Sequence, residues 1–477
     1  MPETLFDASL IVLMFHAVIA PGTALHATLY KRDSRAAFGW IALCVVLPIA
    51  GPLIYLVFGI NRIRRRARRL DRPNTGADST PGFERGRRRD PAAAARAADR
   101  FGRIGAALGG PPVAGGNRVR ALSGGDEAYP AMLEAIAGAR RSVFLSSYIF
   151  DSDRTGREFV EALAGARERG VDVRVIVDGV GQYYSLPRIP RLLRGAGIDC
   201  AVFLPPRLLP PRLSINLRNH HKILVVDGHT AFTGGMNIGN RHVLGDAPGG
   251  NKVADLQFEL AGPVAGQLED EFLRTWEFAT GEDRAPPPVS VPRAGNSRCR
   301  TLTDGPDENM DRITHLLAAL VAEARHSVLI MTPYFVPPRE LVGALQAAGL
   351  RGLEVKLVLP KRNNLPYVHW ATRNMLWEIL SQGVEVRYQP PPFNHSKLVV
   401  VDERYTLVGS SNWDPRSLRL NFELQVEIFD RDFAAKAAQR VRRAAAAGRT
   451  VTLAEVDGRS LPVRLRDSLC WLFSPYL

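Results

Sequence analysis

The residues of this chain best suited to chemistry occur twice. One stretch, NHHKILVVD from Asn219, holds His220, Lys222 and Asp227, followed by Gly234, Gly235 and Asn237. The other, NHSKLVVVD from Asn394, holds His395, Lys397 and Asp402, followed by Gly409, Ser410 and Asn412. Both read His-x-Lys, four residues, Asp, six residues, Gly, then Asn three further on. Three of the chain's ten histidines and two of its seven lysines fall in these windows, a concentration that surface decoration does not explain.

Two imidazoles can divide labour, one attacking and one protonating a leaving oxygen, because both titrate near neutrality. Lys222, Lys397, Asn237 and Asn412 then supply donors for the anionic oxygens of a phosphodiester and for the charge that grows as phosphorus becomes five-coordinate. Metal-assisted hydrolysis would call for a carboxylate cluster, and lysines beside histidines disfavour a bound dication. No metal and no cofactor are expected. The set points to phosphoryl-type transfer through a phosphohistidine, built where two halves of the chain face each other. Asp227 and Asp402 complete the motif as scaffold at tight turns, with no share in proton transfer. His221 points away from Lys222 by the strand period and is read as a packing or hydrogen-bonding residue.

Positioning these groups requires particular elements. Residues two apart in a strand share a face, so each histidine and lysine point the same way. The apolar run after each lysine predicts a strand covered on both sides, and the turn at each aspartate brings the asparagine back beside the pair. The texture around the motifs repeats as well. AIAGARRS, VFLSSYIF, GREFVEALAGARERG and VDVRVIVDG are echoed by LVAEARHS, VLIMTPYF, PRELVGALQAAGLRG and LEVKLVLPK. Alternating strands and helices at this spacing predict an α/β fold of two duplicated domains, residues 122–280 and 301–477, joined by a linker over 281–300.

The formal net charge is +14, and residues 61–100 alone carry thirteen arginines against five acids. Just before them, residues 36–60 contain no charged side chain, and residues 8–30 contain none either. This predicts a two-helix membrane anchor over 1–62, the second run forming one span, and an arginine-rich flexible tether over 63–121. Arginines beside a span each gain about 1 kcal/mol near anionic lipid, and they keep the following domains on the cytoplasmic side. Anionic membrane lipid is therefore the expected partner and nucleic acid is not, since no aromatic-basic stacking surface accompanies the charge. Four scattered cysteines without a CxxC pair fit a reducing compartment. The oligomeric state, including a homo-oligomer, is left open.

The duplicated H-x-K-x(4)-D-x(6)-G-x-x-N resembles the signature of the phospholipase D superfamily. Within it, LPIAGPLIYLVFG (47–59), YFVPPRELVGAL (334–345) and GSSNWDPRSLRLNFE (409–423) resemble bacterial cardiolipin synthases. The resemblance implies two pseudo-twofold related α/β/α sandwich domains with one shared site behind an N-terminal transmembrane hairpin. It implies His220 as nucleophile, His395 as general acid, and lysines and asparagines on the phosphate. It also implies an acid beyond each motif that orients the opposing histidine: Glu423 fits in the second half, and Glu259 is the nearest in the first. The implied reaction joins two phosphatidylglycerol molecules into cardiolipin and glycerol. A hydrolytic phospholipase D or a synthase using phosphatidylethanolamine are the near alternatives, and a nuclease or a non-catalytic scaffold the remoter ones.

Overall fold

The apolar runs after the two motif lysines are strands, Ile223–Val226 and Leu398–Val401, with every residue buried. Each turns at its aspartate, where φ is 54° at Asp227 and 51° at Asp402, a left-handed conformation that aspartate tolerates. The chain returns antiparallel as Thr230–Gly234 and Tyr405–Gly409. The His-x-Lys residues lie just ahead of each ladder in place of forming part of it.

The computed structural model describes residues 2–31, 34–59, 100–206, 217–245, 252–284, 286, 291–305 and 309–474. They belong to two compact units, Met1–Arg72 and Pro73–Leu477. In the larger unit both halves build a single fifteen-stranded sheet. From the middle outward, the first half runs Ala114–Ser123, Leu256–Ala261, Thr230–Gly234, Ile223–Val226, Ser142–Ser147, Asp172–Asp178, Asp199–Phe203. The second half runs in the same order: Ser297–Asp304, Glu423–Phe429, Tyr405–Gly409, Leu398–Val401, Ser327–Met331, Glu354–Pro360, Glu385–Gln389, with Arg449–Thr450 at the edge. The three outer strands of each half are parallel and the rest antiparallel. The halves join by antiparallel pairing of Ala114 with Cys299 and Asn117 with Ser297.

Helices cover both faces, as the α/β/α expectation requires. Val264–Thr280 and Arg431–Ala447 lie over the seam, and their core mixes Leu268 and Phe258 of one half with Val441 and Leu424 of the other. Two further cores, one per half, form under the remaining helices. At about 1.5–3 kcal/mol per fully buried large apolar side chain, the shared core ties the halves together strongly. Two sequence boundaries need correction. The helix Arg100–Ala107 and most of the seam strand Ala114–Ser123 fall in the stretch assigned to the tether, and the strand from Ser297 begins inside the assigned linker. The tether's residues 63–99 lie outside the described residues.

In the smaller unit, the helix Pro2–Tyr30 packs against Ser34–Val46, with His26 Nδ1 2.7 Å from the Tyr55 hydroxyl and Lys31 Nζ donating to the Gly59 carbonyl at 2.5 Å. The charge-free run is not one continuous span. It stops at Val46, turns through Leu47–Ile49 around Pro48, and resumes as Ala50–Ile54 and a π-turn Tyr55–Gly59. Proline lacks the amide that an unbroken helix needs there. Among the described residues, no helix is long and apolar enough to cross a membrane.

Candidate active site at the seam

The asparagine that opens each motif shapes the bend before the strand. Asn219 Oδ1 accepts from the His221 amide at 3.1 Å, and Asn394 Oδ1 accepts from the Ser396 amide at 2.9 Å. Such Asx turns fix a local backbone without a ladder. Behind the first, buried Asp178 accepts from the Asn219 amide at 3.0 Å and pairs with the buried Arg218 guanidinium at 3.2 Å. The backbone then crosses the seam. The His220 amide donates to the Phe422 carbonyl at 2.9 Å, and the His395 amide donates to the Ala254 carbonyl at 2.7 Å.

The side chains cross too. Glu423 of the second half accepts from His220 Nδ1 at 2.9 Å, and Asp255 of the first half accepts from His395 Nδ1 at 3.0 Å. Each carboxylate occupies Nδ1, so the chemistry of either ring falls to Nε2, which at His395 also lies within reach of Lys397. Glu423 stands against the opposing histidine, the contact that the resemblance implied. Glu259 does not: it pairs with the exposed Arg120 at 2.8 Å, on the strand surface away from the histidines. Asp255, four residues earlier, makes the contact with the opposing histidine. Its signal was present in the repeat, since Asp255-Leu-Gln-Phe-Glu-Leu matches Glu423-Leu-Gln-Val-Glu-Ile and sets Glu259 against Glu427. Glu427 is itself held away from the site by buried Arg300 and the Tyr405 hydroxyl.

Lys222 Nζ donates to the His220 carbonyl at 2.9 Å and lies over the Tyr148 ring, 5.6 Å from its centroid. Lys397 Nζ donates to the His395 carbonyl at 2.6 Å and stands 3.0 Å from both nitrogens of the His395 ring. Tyr148 meets the His220 ring edge-on at 5.2 Å, and Tyr334 meets His395 at 6.1 Å. Neither tyrosine was singled out from the sequence. Asn237 is oriented through its Oδ1, which accepts from the Ile149 amide at 3.2 Å. Asn412 Nδ2 donates to Ser417 Oγ at 3.0 Å, and its buried Oδ1 has no protein partner among the described residues.

Burial and mutual repulsion set the electrostatics. Burial first, then Lys222 and Lys397, hold His220 well below the usual imidazole range. Burial and Lys397 bring His395 down to about 4. Burial lowers Lys222 to about 7 and Lys397 to about 8, against the pull of Glu423 and Asp255. The two lysines therefore share one field, and an anion bound between them relieves it. Burial raises Glu423, whereas Asp255 stays below its ordinary value despite burial because His395 donates to it. His221 is buried and lowered to about 4 by burial, with both ring nitrogens lacking a protein partner among the described residues.

The motif aspartates stand apart from this chemistry. Asp227 accepts from the amides of Arg140, Arg141 and Ser142, and Asp402 from those of Arg325, His326 and Ser327, at 2.7–3.2 Å. They pin the hairpin to the start of the neighbouring strand. Among the described residues, no three His, Cys, Asp or Glu side chains are grouped to hold a metal ion.

The family described as cardiolipin synthase, phospholipase D-like domain, matches residues 132–276 and 317–444, and a phospholipase D-nuclease N-terminal family matches 18–59. The chain is similar to the major cardiolipin synthase ClsA of Bacillus subtilis, 30% identical over 466 residues covering 94% of this chain and 95% of that one. It is also similar to cardiolipin synthase A of Pseudomonas aeruginosa PAO1, 33% identical over 424 residues, 86% of this chain and 84% of that one. Among solved structures, phosphatidylserine synthase of Haemophilus influenzae aligns with a TM-score of 0.60 at 17% identity, over 75% of this chain and 95% of that one, a likeness of fold.

Proposed function

We infer that this chain, which belongs to the bacterial cardiolipin synthases of the phospholipase D superfamily, transfers a phosphatidyl group between two phosphatidylglycerol molecules, giving cardiolipin and glycerol. The observation that supports the mechanism is the exchange of acids across the seam, Glu423 on His220 and Asp255 on His395, which occupies both Nδ1 atoms and directs the chemistry of each ring to Nε2.

In the first step His220 Nε2 forms a bond to phosphorus as the bond from phosphorus to the glycerol oxygen breaks, and His395 gives that oxygen its proton. In the second, His395 takes the proton from a hydroxyl of the second phosphatidylglycerol. The resulting oxygen attacks phosphorus and returns the electron pair to His220. One phosphodiester replaces another, so the exchange needs no nucleotide. Lys222, Lys397, Asn237 and Asn412 hold the non-bridging oxygens. A bound phosphodiester offsets the ammonium charges that depress His395, which raises its proton affinity when an acid is required.

The same reading seats the smaller unit in a bacterial inner membrane, its helices forming a hairpin with the larger unit on the cytoplasmic side. Its support is the charge-free run followed by arginines. The test is product analysis with purified protein and phosphatidylglycerol alone. Cardiolipin and glycerol in equal amounts are expected, and none from His220→Ala. Phosphatidic acid as the main product would overturn transfer in favour of hydrolysis.

A further inference from the structure

The helix Leu461–Leu472 at the C-terminal end is fixed on one side and bare on the other. Its inner side is anchored by Asp467, wholly buried, which accepts from Arg373 at 2.7 Å, Arg459 at 2.6 Å and Arg466 at 2.9 Å. At 3.6 residues per turn the opposite side is an unbroken apolar stripe. Leu461 is 77% exposed, Leu465 59%, Leu469 50%, Leu472 64% and the adjoining Phe473 64%.

Charge borders this stripe. Three guanidiniums share the single Asp467 carboxylate, so the cluster keeps a positive excess, and exposed Arg464 adds to it. Arg466 lies over the Trp370 ring at 4.3 Å, and the half-exposed Trp377 shares the Trp370 and Arg373 face of the helix Pro366–Leu380. An exposed leucine stripe flanked by arginine and tryptophan matches the cross-section of a bilayer surface: acyl chains below, anionic phosphates at the sides. A water-facing helix gains nothing from five exposed large apolar groups.

We propose that this helix is a second membrane contact, lying in the plane of an anionic lipid surface with its leucine stripe among the acyl chains. The proposal rests on the lipid-transfer reading and adds how the larger unit meets its substrate. The helix Pro366–Leu380, against which the C-terminal helix packs, starts two residues after Asn364, whose Oδ1 accepts from the Tyr334 hydroxyl at 2.8 Å. Tyr334 in turn edges the His395 ring. Seating the stripe in lipid therefore holds the rim of the active site near the headgroups.

The experiment places a probe on the stripe of the full chain. Leu465→Cys, and separately Leu461→Cys, in a Cys200→Ser, Cys470→Ser background, is labelled with an environment-sensitive fluorophore and reconstituted in phosphatidylglycerol vesicles containing doxyl-labelled phospholipid. At either position the emission should fall at least about twofold, and equally in a His220→Ala background. Leu465→Ser combined with Leu469→Ser should raise the apparent KM for vesicle phosphatidylglycerol about five- to tenfold and leave kcat and the KM in detergent micelles unchanged. Unquenched probes at both positions would overturn the proposal, as would a stripe covered by a second copy, read as probe-to-probe energy transfer without lipid quenching. Quenching that persists in a protein making no cardiolipin would sink the transfer reading and leave the docking intact.

Discussion

Glu423 holds His220 Nδ1 from the far side of the seam at 2.9 Å, although 203 positions separate them in the chain. Asp255 does the same for His395 in the reverse direction, across 140 positions. Neither half can orient its own histidine, so the site exists only when the halves are joined. On the proposed mechanism, that makes the seam pairing part of the catalytic apparatus as well as of the core.

Asp255 and Glu259 separate orientation from mere proximity. Asp255→Asn keeps the shape but can no longer favour the tautomer that leaves His395 Nε2 for the substrate, and kcat should fall about 10²- to 10⁴-fold. Glu259→Gln removes only an exposed ion pair, and activity should stay within about twofold. Cardiolipin formation in proteoliposomes measures both. Equal losses would mean that the carboxylate on His395 has no special part.

The lysines predict an alkaline limb. Their affinities for protons are lowered to about 7 at Lys222 and about 8 at Lys397, and only the ammonium form attracts a phosphodiester anion. Raising the pH through 7–8 therefore discharges them in the free enzyme, and kcat/KM should decline. At saturating lipid the bound anion restores their charge and moves the limb of kcat upward. On the acid side His395, at about 4, stays neutral in the free enzyme to about pH 5, and burial holds His220 well below the usual imidazole range as well. A kcat/KM profile flat from pH 6 to 10 would contradict the discharged lysines.

Asp227 and Asp402 predict a loss of stability with little loss of chemistry. Removing either carboxylate strands three backbone amides, at a cost of about 2–4 kcal/mol. Asp227→Ala should lower the melting temperature by about 3–6 °C while kcat per folded molecule stays within a few-fold. A variant as stable as the parent but inactive would move the aspartate into the reaction.

How much of this was legible follows from what kind of signal each feature leaves. His220, Lys222, His395 and Lys397 stood out because duplication repeats chemistry at fixed spacing, and the apolar runs after them fixed the strands. The crossing of acids left no local trace, being tertiary. Glu259 was chosen by nearness to the motif, whereas the register of DLQFEL against ELQVEI identifies Asp255. The seam strand Ala114–Ser123 was hidden by its glycines and by the prolines just ahead of it. Its pairing with Ser297–Asp304 is irregular, and most of its ladder lies with Leu256–Ala261. In the smaller unit hydropathy marked residues 36–60 as a single span but could not register the break that Pro48 imposes.

Gly235 and Ser410 occupy the same place in the two motifs and predict unequal outcomes. A β-carbon at Gly235 would stand 2.7 Å from Asp255 Oδ1 and 2.9 Å from the His395 carbonyl oxygen, closer than atoms tolerate. Gly235→Ala must therefore push the His395–Asp255 pair out of line, and an ångström of misplacement costs about 10²-fold in kcat. Ser410 instead uses its space, its hydroxyl donating to Glu423, which Asn421 Nδ2 also contacts at 3.1 Å. Ser410→Ala leaves that second donor and the His220 contact, so its loss should be nearer tenfold. Comparing kcat for the two variants, with KM for phosphatidylglycerol as the control for binding, checks the asymmetry. Equal effects would mean that the close approach of Gly235 to the opposite half carries no constraint on the reaction.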